Sequence, residues 1–311
     1  VRERLYERER MSRIRSDELY SLIFYTYLCF PRNEEKKKWR KKKKRVSADV
    51  HKCEPQKGKR LLKKYRRPCT DRMLPKSLGR DHIVLSVGKD RAIRMGTFLA
   101  TELLKLEGAK DLEDYSMTDE MKAMISPGNI HNCLRTRCTK FCDAYERMIR
   151  EVIAPHIVKQ FSPQNENDRF VLYQFPPTVR IYCSHLKPIG GKNKTDEYRS
   201  LGRFHCDAQY GHQDGEINFW MPLTVLHDTS TLWGETEPMK EDYYPFRPEI
   251  GEIVQFPGTN CRHFTKPNVS GKTRVSIDFR CSTRSCFDKT WSLPGMTHRH
   301  EMREFKVRRS C

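Results

Sequence analysis

The chain has 311 residues, enough for one large domain or two small ones, with 37% hydrophobic residues and a formal net charge of +20. The charge is uneven: residues 1–80 hold 27 Lys/Arg against 10 Asp/Glu, and the remaining 231 hold 33 against 30. The basic character therefore belongs to an N-terminal region, and a nucleic-acid-binding surface spread over the whole chain is excluded.

Residues 1–80 read as a basic, disordered region. The apolar run Leu19–Phe30 has 12 residues, short of the about 20 that cross a bilayer. No small-residue cleavage site follows it, so no membrane partner is expected. The run Lys36–Arg45 could be a localisation or polyanion-binding patch, but charge this dense repels itself and buries no apolar surface. The reading preferred is a solvated tail with no specific nucleic-acid partner.

Folded structure is expected from Asp81, as one domain over 81–285 with a helical part (81–162) and a β core (170–281). Ile83–Gly88 is a short strand candidate. Met95, Phe98, Leu99, Leu103 and Leu106 follow helical spacing, with Gly108 as the stop. After a polar stretch containing Pro127 and Gly128, a stronger helical stripe runs through Phe141, Ala144, Tyr145, Met148, Ile149, Val152 and Ile153. That stripe is core packing, and Pro155 ends or kinks the helix. Beyond Ser162 come short apolar runs at 170–175, 178–186, 216–226, 230–236, 252–256, 261–265 and 273–281, punctuated by Gly, Pro, Asn and Asp. Many short strands at that spacing argue for a sandwich or barrel. Residues 286–311 form a polar tail to which no role is assigned.

Twelve cysteines are scattered without a C-x-x-C pair. Reduced thiols in an intracellular, cytoplasmic protein are the expectation. Sequons at Asn193 and Asn268 are of the kind that arises by chance.

The chemistry gathers between Leu201 and Cys281. His205-Cys-Asp207 and His212-Gln-Asp214 are competing His-x-Asp triplets. The second abuts the strand beginning at Glu216, with only Gly215 as a turn; the first leaves a proper loop and is preferred. His263 lies on a later strand candidate. Two histidines and a carboxylate can hold one face of an iron(II) ion and leave the other positions open. Arg274 and Ser276 alternate on one strand, so both face the same side. An inward arginine needs a partner, either a ligand carboxylate or a structural acid such as Asp278. The other histidines, among them His82, His131, His156 and His300, read as hydrogen-bonded structural residues.

The string H-x-D-x-x-Y-G-H-x-x-G-E-x-N-F-W-x-P-L-T from His205, with GEIVQF, CRHFTKPN and TRVSIDFR, resembles the iron(II)/2-oxoglutarate-dependent dioxygenases. Within them it is most similar to the branch of streptomycin-biosynthesis oxygenase-like proteins. The resemblance covers Thr178 to Cys281. It implies a double-stranded β-helix (jelly roll) flanked by helices. It implies Fe(II) on His205, Asp207 and His263, with 2-oxoglutarate and O2 as co-substrates. Arg274 and Ser276 would hold the distal carboxylate of 2-oxoglutarate, with Trp220, Tyr182 and Asn218 around it. Tyr210, Gln213, Trp233 and Glu235 are candidate substrate contacts. The activity implied is hydroxylation of a small, polar metabolite with release of succinate and CO2. The alternatives are a non-catalytic jelly-roll module and an oxygenase recruited to a macromolecule by the basic N-terminus. Neither the substrate nor the oligomeric state follows from the sequence.

Overall fold

The computed structural model describes residues 82–118, 127–161, 166–184, 205–291 and 300–308. All belong to the second of two compact units, Leu62–Cys311. The basic N-terminal region and the Asn193 sequon lie outside the described residues. No helix among those described is long and apolar enough to cross a membrane.

The helical part begins with α1 (Lys89–Leu99), which continues through a π-helical turn at Ala100–Leu104. The stop is Lys105, in the left-handed conformation at φ 59°, and not Gly108. Its ammonium donates to the Glu102 carbonyl at 2.9 Å, which offsets the cost of that conformation for a residue with a side chain. Gly108 instead opens a short 3-10 turn, its N–H bonded to the Asp111 carboxylate at 3.0 Å. A further helix, α2 (Pro127–Arg137), occupies a stretch the sequence reads as polar connection. Its proline stands at the first helical position, where a missing N–H costs nothing. Then come α3 (Thr139–Met148) and α4 (Ala154–Phe161), joined by a π-helical turn at Ile149–Ile153. Pro155 does not end the helix. The wider turn immediately before it accommodates a residue that cannot donate and would press on the carbonyl four residues back.

The rest is mainly antiparallel β. The strands are β1 (Ile83–Ser86), β2 (Phe170–Phe175), β3 (Thr178–Tyr182), β4 (Ile217–Pro222), β5 (Leu232–Gly234), β6 (Tyr244–Pro245), β7 (Glu252–Phe256), β8 (His263–Thr265), β9 (Arg274–Thr283) and β10 (Glu301–Lys306). A seven-stranded sheet runs β1-β7-β4-β9-β2-β10, with β3 also paired to β9; a three-stranded sheet runs β6-β5-β8. β2 and β3 lie one after the other along the same edge of β9, β2 against Cys281–Thr283 and β3 against Arg274–Asp278.

The period-two alternation of β4 and β9 divides the protein. Ile217, Phe219 and Met221 of β4 and Val275, Ile277, Phe279 and Cys281 of β9 join the helical stripe in one hydrophobic core. Tyr145 of α3 meets Phe279 edge-on at 5.2 Å and donates its hydroxyl to the Gln174 carbonyl at 2.7 Å. Truncating a buried aromatic such as Phe279 costs about 3–5 kcal/mol. The opposite face of the same strands carries Asn218, Trp220, Arg274, Ser276, Asp278 and Arg280. There Trp220, Phe246, Val254 and Phe256 make a second, smaller apolar cluster where the small sheet meets the large one.

The polar tail to which the sequence assigned no role supplies β10, paired with β2 in register from Glu301↔Phe175 to Lys306↔Phe170. Periodicity is weak there because an edge strand buries little: Phe305 packs on the core, while Arg303 lies over Phe175 and reaches Glu146 at 2.8 Å. Removing residues 301–311 is expected to lower the thermal midpoint by several degrees. Phe305→Ala alone should cost about 1–2 kcal/mol, below the range for a fully buried phenylalanine. An unchanged midpoint in both proteins would show that β10 is dispensable.

Candidate metal centre

His205, Asp207 and His263 converge. Their donor atoms all lie within 4.8 Å of one another, and they are the one such group of His, Cys, Asp or Glu among the described residues. Backbone pairing builds the site. His205 and His263 form an isolated antiparallel bridge, with N–H to carbonyl distances of 3.2 and 2.8 Å, that sets the two rings 4.4 Å apart. Two residues on, the Asp207 N–H donates to the Gly258 carbonyl at 2.9 Å and opens a 3-10 turn that Gly211, at φ 87°, closes. Nε2 of each histidine stands 3.5 Å from Asp207 Oδ1.

The two oxygens of Asp207 are used differently. Oδ2 accepts from Arg280 Nε at 2.9 Å, Arg280 Nη2 at 2.7 Å and Asn218 Nδ2 at 2.5 Å. Gln174 Oε1 holds the remaining arm of Arg280 at 3.0 Å. Oδ1 is left to the histidines. Burial alone would push this carboxyl up, but the Arg280 guanidinium and the neighbouring imidazoles hold it well below the ordinary range. His263 donates Nδ1–H to the Cys261 carbonyl at 3.1 Å, which leaves the Nε2 lone pair for a metal. Its pKa is lowered to about 4 by burial, so it is neutral at pH 7. Burial pushes the flanking thiols of Cys206 and Cys261 up, to about 11 and about 12, so neither offers a thiolate at neutral pH. The available donor set is two imidazoles and one carboxylate oxygen.

The rival triplet does not take part. His212 bonds Glu216 at 2.6 Å and stacks on His300 with ring centroids 5.6 Å apart. His300 meets His131 at 5.4 Å. His156 bonds Gln255 at 2.8 Å.

Arg274 is 2% exposed, and no carboxylate pairs with it among the described residues. Its Nε donates to the Ser230 carbonyl at 3.0 Å and its Nη1 to Ser276 Oγ. The guanidinium lies 4.2 Å from the Tyr182 ring centroid and 5.7 Å from that of Trp220. Burial lowers its pKa to about 10, and it remains a cation at pH 7. Asp278, the structural acid that could have neutralised it, pairs instead with Arg180 at 2.7 Å. Tyr182 and Trp220 therefore stand beside Arg274, whereas Asn218 stands behind the metal-facing carboxylate.

Of the four candidate substrate contacts, Tyr210 alone touches the triad, its 51%-exposed ring meeting His205 edge-on at 5.0 Å. Gln213 clamps the backbone of Asp288 in both directions, at 3.0 and 2.8 Å. Trp233 packs on Phe264 and under Lys266. Glu235 is buried and accepts from the N–H groups of Met239, Glu241 and Arg262 and from the Tyr243 hydroxyl, which orders its own loop. Sequence reasoning missed Arg280 and Gln174. The signal available was the alternation of Arg274, Ser276, Asp278 and Arg280, which puts more charge on one face than a single ligand can match. Asn268 of the second sequon is fully buried, its amide donating to the carbonyls of Tyr182 and Lys272 at 2.9 and 2.7 Å.

No family model matches the chain. Over 89 residues, 29% of its length, it is 36% identical to the streptomycin biosynthesis protein StrG of Streptomyces griseus. The match spans 41% of that relative, so the chain covers less than half of the curated protein it resembles. Among solved structures, the non-heme monooxygenase ThoJ is similar at 11% identity and a TM-score of 0.39 in its nickel complex, over 64% of this chain and 73% of that one. Its apo form gives 12% and 0.41, over 64% and 74%. These scores are too low to bear on fold or activity.

Alanine at His205, Asp207 or His263 is expected to abolish binding of one equivalent of cobalt(II), followed by its visible absorption, while His212→Ala retains it. The opposite pattern would reinstate the second triplet. Arg280→Met should make metal binding pH-dependent. Without the guanidinium, burial raises the Asp207 pKa, the carboxyl is protonated below that value, and affinity lost at pH 6 returns at pH 8. A pH-independent loss would show that Arg280 acts through folding alone.

Proposed function

We propose that this protein is an iron(II)- and 2-oxoglutarate-dependent dioxygenase with a double-stranded β-helix core. It hydroxylates a small, polar metabolite and releases succinate and CO2. The observation that carries this reading is Arg274, a buried guanidinium without a counter-ion among the described residues, on the same sheet face as a two-histidine, one-carboxylate cluster. An unpaired buried charge is costly, and a dicarboxylate that reaches the metal with one end neutralises it with the other. The donor chemistry fits iron(II), which such facial triads hold with open positions remaining. The relative's part in antibiotic biosynthesis supports a small-molecule substrate over a macromolecule, with no nucleic-acid or membrane partner and a cytoplasmic setting.

His205, His263 and Asp207 Oδ1 would hold the iron. Arg274 and Ser276 would hold the distal carboxylate, with Trp220 and Tyr182 as apolar walls that exclude water and strengthen that pairing. When bound, iron and 2-oxoglutarate supply the activation of dioxygen, and no side chain is needed as nucleophile or general base. The task of the chain is to orient the imidazoles, keep the carboxylate charged and hold the co-substrate in place.

Titrating 2-oxoglutarate into the anaerobic iron(II) protein is expected to raise a visible metal-to-ligand charge-transfer band. Arg274→Ala should weaken that binding by about one to two orders of magnitude, since bonds to a charged group contribute about 1.5–3 kcal/mol each. Arg274→Lys should restore part of it, because lysine keeps the charge and loses the fork. Iron binding should survive in both variants. Absence of the band in the wild-type protein would replace the dioxygenase with a non-catalytic binding module.

A further inference from the structure

We propose that Arg180 is the specificity-determining residue for substrate, presenting the free end of its guanidinium to an oxyanion of the substrate, a carboxylate or a phosphate monoester. This rests on the dioxygenase reading and adds the substrate class to it.

Position comes first. In the β3–β9 ladder Tyr182 lies opposite Arg274 and Arg180 opposite Ser276. Arg180 and Tyr182 therefore share the inner face that carries Arg274, Ser276, Asp278 and Arg280. A chain of charges runs along that face: Asp207 to Arg280 at 2.7 Å, Arg280 to Asp278 at 3.8 Å, and Asp278 to Arg180 at 2.7 Å. Side-chain exposure rises outward along it, from 1% at Asp207 and 8% at Arg280 to 16% at Asp278 and 47% at Arg180. Arg180 is thus the end of the chain that an entering molecule meets.

Its bonding is incomplete in a specific way. Nε donates to Asp278 Oδ2 and pins the side chain. Among the described residues neither terminal nitrogen donates a hydrogen bond. A guanidinium held by Nε offers its two Nη groups as a planar fork, a geometry suited to two oxygens of one oxyanion. The charge is also undercompensated. Asp278 faces two guanidinium groups, and its Oδ1 accepts no hydrogen bond. Once Asp207 shares its charge with a dication, Asp278 is the counter-ion left among the described residues for both arginines. Glu216, the other buried acid on this side, is bound to His212.

Arg180 is not a second site for 2-oxoglutarate. Arg274 is stacked beneath Tyr182 with its hydrogen bonds fixed by Ser230 and Ser276, and is almost fully buried. Arg180 is half-exposed where Arg274 is buried, so a substrate can reach it without displacing the co-substrate.

The test uses the full chain loaded with iron(II) and saturating 2-oxoglutarate under anaerobic conditions. Methyl phosphate, acetate and glycerol are titrated by calorimetry, with the charge-transfer band followed in parallel. Methyl phosphate or acetate should bind saturably at one site and glycerol should not. Arg180→Met should weaken that binding by about tenfold or more, and Arg180→Lys should recover only part of it. 2-Oxoglutarate affinity and the thermal midpoint should stay at wild-type values in both variants. The proposal is overturned if neither anion binds the wild-type protein, if binding is equal in Arg180→Met, if glycerol binds instead, or if Arg180→Met weakens 2-oxoglutarate as Arg274→Ala does. A wild-type protein that shows the band yet binds neither anion would lose this inference and keep the dioxygenase reading; one without the band would lose the reading itself.

Discussion

The Arg280–Asp207 pair is the constraint on which the rest of the site depends. A carboxylate 1% exposed would ordinarily be neutral, because ionising it away from water costs several kcal/mol. A neutral carboxyl cannot serve as an anionic metal ligand. The two guanidinium bonds and the Asn218 amide on Oδ2 stabilise the charged form and fix which oxygen faces the histidines. Gln174 from β2 holds Arg280 in turn, so the site depends on β2, β4 and β9 lying side by side. Gly258 belongs to the same constraint: a Cβ there would lie 2.6 Å from Asn218 Cγ, so a glycine is needed where the backbone that anchors Asp207 passes over the amide that holds it.

The two interior arginines of β9 are opposites. Arg280 has its counter-charge within the chain, while Arg274 has, among the described residues, a carbonyl and a hydroxyl as acceptors. They are six residues apart on one strand and face one way, so this difference comes from what the neighbouring strands bring. Gln174 of β2 and Asp207 of the 3-10 turn surround Arg280 with acceptors; β3 and the turn at Ser230 surround Arg274 with an aromatic ring and a single carbonyl. One guanidinium is satisfied before any ligand arrives and the other is not. That asymmetry, more than the presence of arginine, is what the proposed function rests on.

Much of this was legible in the sequence, for a physical reason. Where one face of an element meets a deep core and the other a polar interior, period two or 3.6 is forced on the chain. β2, β7 and β9 and the α3 stripe accordingly follow from hydrophobic spacing, and the triad from a His-x-Asp triplet with a loop before the next strand and a later histidine on a strand-like run. What escaped lies where tertiary context overrides local preference. Lys105 stops a helix because its own ammonium caps it, which no glycine rule detects. β10 is an edge strand with alternating charge, and Asp278 pairs across to β3, a choice of partner that strand alternation permits but does not select.

Alternation also limits what the interior can hold. On β9, positions 274, 276, 278 and 280 must all tolerate the inner face, and three of the four are ionisable. Replacing them with apolar residues would gain packing and lose every means of ordering a polar ligand. Keeping them requires that each charge find a partner from another element, which is why the inner face has an ion-pair chain where the outer face has Val275, Ile277 and Phe279. The apolar cluster around Trp220 and Phe246 lies at the other end of that face, beside Arg274. The same strands thus supply an apolar wall beside Arg274 and a half-exposed charge at Arg180. A reaction that needs one end of its co-substrate shielded and the other side open to substrate requires both.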